Sequence, residues 1–479
     1  MRAFPYNDLK HQPTMITTPS KTDAPGEAES GASMIYLCLI VLIAAVGGFL
    51  FGYDLSLISG AIIILKREFG LDPSQVGSVV SSAILGCPFG PLAGIWLADV
   101  LGRRRTLIFA SLLFLVSTVG CALAFGVSDL CVWRFIGGMG VGLASTVSPM
   151  YIAEIAPARL RGRLVVVNQL AIVIGLSMSV VVTWLLAGGG HWRWMFATQG
   201  LPVAVLLGGL LLVPESPRWL ATVGRFGDAL QILARINGRP KAESELQAIR
   251  QEVGEESGGF RELFQAGVRL AVVVGLVLMV FSQINGVNMI IIYAPSLFQE
   301  AGITGDADAI LNSVYICGWI TLCTVAAFWI IRKFSRRWIL VTGTAAMAAG
   351  HVLMCLNYAY QWPTPLTVAA MLVPTGAFTL SLAPLSWVVI SEIYPNRVRG
   401  KAMSIATCAM FAASFGVSKW FPVVVEKFKT DFGHPGGAFL IFAGICLACS
   451  LFVWLTLPET KDKTLEEIGE FWLRRGRSK

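Results

Sequence analysis

The sequence predicts an all-α membrane protein of twelve transmembrane helices, arranged as two pseudo-symmetric six-helix bundles. Three observations lead there. Composition is the first: 55% of the 479 residues are hydrophobic and only 14% charged, with a mean hydropathy of +0.69, whereas a soluble domain carries roughly 25% charged residues. The second is length, because twelve apolar stretches each supply the ~20 residues needed to cross ~30 Å of hydrocarbon. The third is an internal repeat. Glu-Ile-x-Pro-x-Arg-x-Arg-Gly runs from Glu154 to Gly162 and again from Glu392 to Gly400, Arg103-Arg104 returns as Arg336-Arg337, and Pro214-Glu215-Ser216 returns as Pro458-Glu459-Thr460. The offsets are 238, 233 and 244 residues and the order is kept, so one half is present twice.

Taken in order, residues 1–33 are polar, contain no apolar run of the signal-peptide kind, and are expected to form a disordered cytoplasmic tail, with Met15 and Met34 as alternative starts. The first bundle is expected over residues 34–213, with spans near 35–65, 75–99, 104–126, 128–155, 163–187 and 193–213. Residues 214–267 mix charge with helical apolar spacing at Phe226, Leu230, Leu233 and Ile236, which predicts a helical linker lying on the cytoplasmic face. The second bundle is expected over 268–457, with spans near 268–299, 308–331, 337–358, 364–394, 401–425 and 435–457, followed by a cytoplasmic tail at 458–479. The longer spans must tilt or protrude.

The net charge of +8 is explained by its placement. Arg103 to Arg105, then Arg159, Arg161 and Arg163, then Arg332, Lys333, Arg336 and Arg337, then Arg397, Arg399 and Lys401 fall at one end of the spans. The loops around Ser128, Thr304 and Gln361 carry no Lys or Arg. By the positive-inside rule the basic end is cytoplasmic, as are both termini and the linker. Lys66, Arg67, Arg193, Lys427 and Lys429 are outnumbered exceptions. The expected surroundings are a lipid bilayer, and the basic residues need no nucleic acid to explain them. The ten cysteines sit inside spans without ligand spacing, so neither a metal site, a cofactor nor a disulfide framework is expected.

Several motifs carry a resemblance. Gly47-Gly48-Phe49-Leu50-Phe51-Gly52-Tyr53-Asp54 with Ile58-Ser59-Gly60, Asp99-x-x-Gly102-Arg103-Arg104, Arg134-Phe135-x-Gly137 and Pro149-x-Tyr151-x-x-Glu154 through Arg161-Gly162 occur in the first half. Pro214-Glu215-Ser216-Pro217-Arg218, Gly286-Val287-Asn288 and Pro458-Glu459-Thr460-Lys461 follow. This ordered set resembles the sugar porter family of the major facilitator superfamily over nearly the whole chain after residue 33. The resemblance implies the major facilitator fold: two bundles around a central cavity that opens alternately to each side, with monosaccharides or related polyols as cargo. A single copy of the chain is expected to suffice.

Asp54 lies within the first span, where a carboxylate is costly unless it faces a cavity or a partner. The first span runs outward and the fourth inward, so Asp54 and Arg134 fall at similar depths and can pair. In proton-coupled members of the resembled family an Asp here takes up a proton and the Arg tunes it, whereas uniporters usually have Asn. A static ion pair is the plainer alternative. The resemblance also assigns cargo contacts to Gln169, Gln283, Asn288 and Trp387; amides suit hydroxyl-rich ligands because each offers donors and an acceptor. Interhelical hydrogen bonding, and packing for Trp387, are the alternatives. Leu176, Ser282, Ile320, Met410 and Phe411 depart from the polar or Trp residues that family members with well-defined hexose or pentose sites often carry, which points to a smaller or less polar relative of glucose.

The charged phrases have a reading of their own. Charge-assisted hydrogen bonds among Asp99, Arg103, Arg104, Glu154 and Arg161, and among Arg336, Arg337, Glu392 and Arg399, would form a cytoplasmic gate that holds the inner ends together and breaks when the inside opens. The positive-inside rule alone accounts for the arginines but not for Glu154 and Glu392. Family departures occur at Ile95 and Val100, and at Arg332 and Ser335, where Asp and Gly are usual, so the second gate is expected to be weaker.

The expected activity is secondary active transport of a monosaccharide or polyol with a proton, by alternating access, in a bacterial inner membrane. The short first external loop, about Lys66 to Ser74, and the lack of any Asn-x-Ser/Thr acceptor favour a bacterial source. An energy-independent facilitator and a non-transporting nutrient sensor on the same fold are the alternatives. An enzyme is disfavoured, because no nucleophile–base pair, metal cluster or phosphate-binding loop can be assembled and the histidines are only His11, His191, His351 and His434.

Overall fold

The computed structural model describes residues 31–157, 159–253, 260–265, 268–394 and 398–461, with positions 463, 467 and 472 beyond. Residues 1–30 of the expected tail at 1–33 and most of that at 458–479 lie outside the described residues, and residues 31–33 already belong to the first helix, Gly31–Phe69. Twelve helices among them are long and apolar enough to span a membrane. In the first half these are α1 Met34–Phe69, α2 Pro73–Leu101, α3 Arg103–Leu123, α4 Val127–Ile155, α5 Arg161–Ala187 and α6 Trp192–Leu212. In the second they are α7 Val268–Ile292, α8 Asp306–Lys333, α9 Arg336–Tyr360, α10 Thr364–Ile393, α11 Arg399–Phe432 and α12 Gly437–Thr456.

Local chemistry sets several boundaries. Asp72 caps α2 by accepting from the Gln75 N–H while the Gln75 side chain accepts from the Asp72 N–H, and Pro73 supplies the first helical residue. A single π turn, Gly90–Gly94, interrupts α2. α7 breaks at Gly286, and α10 breaks at Ser381. α11 runs on to Phe432, beyond the expected end near 425, and Lys429 in its last turn pairs with Glu300 at 2.6 Å. Between the halves lie helices Pro217–Thr222, Phe226–Asn237 and Arg239–Val253. Leu233 and Ile236 are buried there, whereas Phe226 is partly exposed beneath the Arg250 guanidinium, 4.0 Å from its ring centre.

Inside the first bundle α1 and α5 touch backbone to backbone. A Cβ on Gly52 would strike the carbonyl of Ile172, and one on Gly175 would strike that of Phe49, so small residues allow the close approach on which lipid-embedded helices depend. The halves meet along two seams, α5 with α8 and α2 with α11. Ser177 and Thr321 hydroxyls lie 3.1 Å apart across the first seam.

The starts and ends of the helices define a basic face, which holds Arg103 and Arg336, and an opposite face. At the opposite face the halves are tied: Ser59 Oγ donates to the Ile291 carbonyl at 3.3 Å, and Arg67 pairs with Asp306 at 2.7 Å. At the basic face no hydrogen bond or ion pair between two described residues joins one half to the other. Among the described residues, the side-chain ties between the bundle ends therefore lie at the opposite face.

Candidate functional site

Asp54 of α1 and Arg134 of α4 are buried in the first bundle, at 7% and 2% exposure. An Arg134 Nη2 to Asp54 Oδ2 separation of 3.8 Å makes them an ion pair, but it exceeds the ~2.7–2.9 Å of a charge-assisted hydrogen bond. Arg134 is braced by other helices instead. Its Nε donates to the Val79 carbonyl of α2 at 3.3 Å, and its guanidinium lies 5.7 Å from the Phe196 ring of α6. Its Nη1 is buried without a hydrogen-bond partner. The arginine is thus fixed by its surroundings, while the carboxylate is attracted but not locked.

Gln283 and Asn288 flank the break in α7. Gly286 there has a φ of +87°, a conformation L side chains rarely adopt, and a Cβ would collide with the Phe442 ring. The break turns the two amides toward each other, and Asn288 Nδ2 donates to Gln283 Oε1 at 2.7 Å. Gln169 of α5 and Trp387 of α10 are exposed and make no hydrogen bond to a described residue. Leu176, Ser282, Ile320, Met410 and Phe411 are all buried. The Ser282 hydroxyl is already committed to the Met279 carbonyl at 2.6 Å, so these five offer no free polar group to a ligand.

At the basic end of the first half, Arg103 is the hub. Its Nε lies 2.9 Å from Glu154 Oε2, and its Nη1 donates to Asp99 Oδ1 at 3.1 Å and to the Ala98 carbonyl at 2.9 Å. Arg104 donates from Nε to the Leu210 carbonyl at 2.7 Å and from Nη2 to that of Leu211 at 2.9 Å, holding α3 to α6. Glu215 accepts from the Arg104 N–H at 3.0 Å. Gly102, at φ +94°, lets that carboxylate sit where a Cβ would go. Ser216 Oγ donates to Glu154, and the Trp219 indole donates to the Asp99 carbonyl at 2.8 Å.

The second half repeats the plan with weaker joints. Glu459 accepts from the Ser335 hydroxyl and from the N–H groups of Arg336 at 3.2 Å and Arg337 at 3.4 Å. Burial pushes the Glu459 carboxyl up, but these hydrogen bonds and that of Lys461 outweigh it and hold the group below the usual Glu value. Arg336 reaches Glu392 at only 3.6 Å. Arg337 donates to the Trp454 carbonyl, and Arg399 reaches the Tyr394 carbonyl at 3.4 Å. Arg336 Nε, Arg337 Nε, Arg399 Nη2 and Glu392 Oε2 are buried without hydrogen-bond partners.

Arg161 is exposed and pairs with no described residue, and Arg399 reaches the Tyr394 carbonyl rather than Glu392. The links of Glu154 and Glu392 to described residues run within their own halves. Sequence reasoning missed Glu215 and Glu459 as the residues that cap α3 and α9. Their signal was the Pro-Glu-Ser and Pro-Glu-Thr repeat.

Known proteins match this architecture throughout. The chain is 36% identical over 471 residues to the arabinose-proton symporter of Bacillus subtilis (strain 168), covering 96% of this chain and 100% of that protein. Its structure superimposes on the inward-open conformation of the xylose transporter XylE from E. coli with a TM-score of 0.81, at 34% identity and with 91% and 100% of the two chains covered. The proton:xylose symporter XylE bound to 6-bromo-6-deoxy-D-glucose gives 0.75, also at 34% identity, covering 92% and 100%. Better agreement with the inward-open form accords with the ties between described residues at the face opposite the arginines. The model of the family described as sugar (and other) transporter matches residues 40–472, and the chain belongs to that family.

Proposed function

We propose that this membrane protein carries a monosaccharide or polyol together with a proton by alternating access between its two six-helix bundles. One observation carries the proton: a buried Asp54 held 3.8 Å from a buried, independently braced Arg134. Here the carboxylate is held near the cation without being locked to it, so a rearrangement of the bundles can part the two. Gln169, Gln283, Asn288 and Trp387 bind the cargo in this reading. The buried apolar residues around them favour a ligand less polar than a fully hydroxylated hexose, since an unpaired hydroxyl in a closed site costs ~1–3 kcal/mol.

The protein works as a monomer in a bacterial inner membrane with its basic face cytoplasmic. The clusters around Glu154 and Glu392 stiffen the inner ends of their own bundles, and the second cluster, with Arg332 where the family has Asp, is the weaker. Adding substrate to lightly buffered vesicles tests the reading: the external pH should rise as proton and cargo enter together. An unchanged pH during demonstrated uptake identifies a facilitator, and an absence of uptake for every sugar and polyol tried identifies a sensor.

A further inference from the structure

His351 of α9 is fully buried and lies against the place where α7 breaks. Its Nε2 is 2.8 Å from the carbonyl of Asn285, the residue before Gly286. In a continuous helix that carbonyl would accept from the N–H four residues on. That N–H belongs to Met289, and it donates to the Gly286 carbonyl instead, at 3.1 Å. The rest of the break serves itself. The Asn285 side chain donates to the Ser282 carbonyl at 2.7 Å and to that of Phe281 at 3.1 Å, and it accepts from the Val287 N–H at 3.0 Å. Only the Asn285 carbonyl looks to other helices, to His351 and more weakly to the Cys446 thiol of α12 at 3.6 Å.

A carbonyl can only accept, so Nε2 is the donor. Nδ1 is buried without a hydrogen-bond partner, which leaves the ring this one bond. Its position is set by packing, with the Phe442 and Phe439 rings 5.6 and 6.2 Å away centre to centre. Phe442 is also the ring that a Cβ on Gly286 would strike. Two turns further along α9, Tyr358 donates to the Leu297 carbonyl at 2.9 Å, in the segment Ala294–Glu300 beyond the break. α9 therefore holds the chain of α7 on both sides of Gly286.

We infer that His351 is a positioning residue for the cargo site. Its bond fixes the peptide plane between Asn285 and Gly286, and with it the angle at which Gln283 and Asn288 meet, at 2.7 Å, across the break. The inference rests on the reading that these two amides bind the cargo. Without the donor, the plane can turn about its flanking single bonds, and Gly286, having no Cβ, resists little.

Hydrogen–deuterium exchange of the purified full chain in detergent, with no ligand present, tests the brace. His351→Phe keeps a ring in the space and removes the donor, so exchange over residues 285–292 should rise while that over α4 is unchanged. His351→Gln, whose amide can reach the place of Nε2, should restore the wild-type rate. The shorter His351→Asn should not, and it stands in for His351→Phe where that variant does not fold. Calorimetry with D-xylose, a monosaccharide smaller than glucose, reads the site. His351→Phe should bind it roughly 5- to 10-fold more weakly, the worth of one net hydrogen bond, and His351→Gln should recover the loss. Wild-type exchange over 285–292 in His351→Phe and His351→Asn overturns the inference, as does a rise that α4 shares or that His351→Gln fails to reverse. Gln283→Ala keeps the two readings apart. Weakened xylose binding there, with unchanged affinity in His351→Phe, refutes the role of His351 alone, whereas unchanged affinity in Gln283→Ala removes the cargo assignment and this inference with it.

Discussion

Removing the Asp54 charge separates proton coupling from structural pairing. At 3.8 Å and an effective dielectric of about 20, two unit charges attract by about 4 kcal/mol. Asp54→Asn keeps the shape and deletes that attraction, leaving Arg134, 2% exposed, with only the Val79 carbonyl and the Phe196 ring. Breaking a buried pair on one side typically costs about 3–5 kcal/mol, so the variant should be measurably less stable to heat in detergent. Asp54→Asn combined with Arg134→Gln removes both charges and should recover part of that loss. Coupling should behave differently. In vesicles with an imposed pH gradient, both the single and the double variant should lose uphill accumulation, and Asp54→Asn should still exchange labelled substrate by counterflow. Proton-driven accumulation at the wild-type level in Asp54→Asn would refute the assignment, whatever the stabilities.

The other expectations are more local. Gln169→Ala and Gln283→Ala, from opposite halves, should each weaken substrate binding by ~1–3 kcal/mol, roughly 5- to 150-fold by calorimetry; unchanged affinity in both moves the site elsewhere. The Glu459 carboxyl sits below its usual value when folded, so its contribution to stability is complete above the unfolded Glu value of about 4.3 and disappears as pH falls through the folded one. Melting curves of the wild type should therefore drop below that pH more steeply than those of Glu459→Gln, and parallel curves would count against the cap. Arg67→Ala breaks a partly exposed tie worth at most about 1 kcal/mol, so spin-label distances across the opposite face should report a shift of up to ~5-fold toward its opening.

Much of the fold was readable because lipid imposes a simple rule: a helix must be long, apolar and internally hydrogen-bonded. That rule yields the twelve spans and, with the repeated phrase, the two halves. It is blind to breaks inside a span. Gly286 and Ser381 interrupt α7 and α10 inside apolar runs, and the lysines after residue 425 read as the end of a span, whereas the helix continues and Lys429 pairs with distant Glu300. The candidate site was legible where a charged residue sits in an apolar run, as with Asp54 and Arg134. The ends of the helices were harder. Arg161 follows Glu154 by seven residues, yet the chain turns between them, and the hydroxyl that reaches Glu154 comes from Ser216, 62 residues away.

The Asn288 to Gln283 bond spans the very point at which α7 is broken. If these amides bind the cargo as proposed, the protein carries its own substitute for a ligand there, and the bond limits rotation of the segment beyond Gly286 against the one before it. A hydroxyl group that recruits either amide must compete with that bond. Occupancy then does two things in one step: it exchanges an internal contact for a ligand contact and frees a joint. Selectivity at this position becomes a contest with the protein's own amide, so a molecule too poor in hydroxyls to win it would leave the joint fastened and would not be carried.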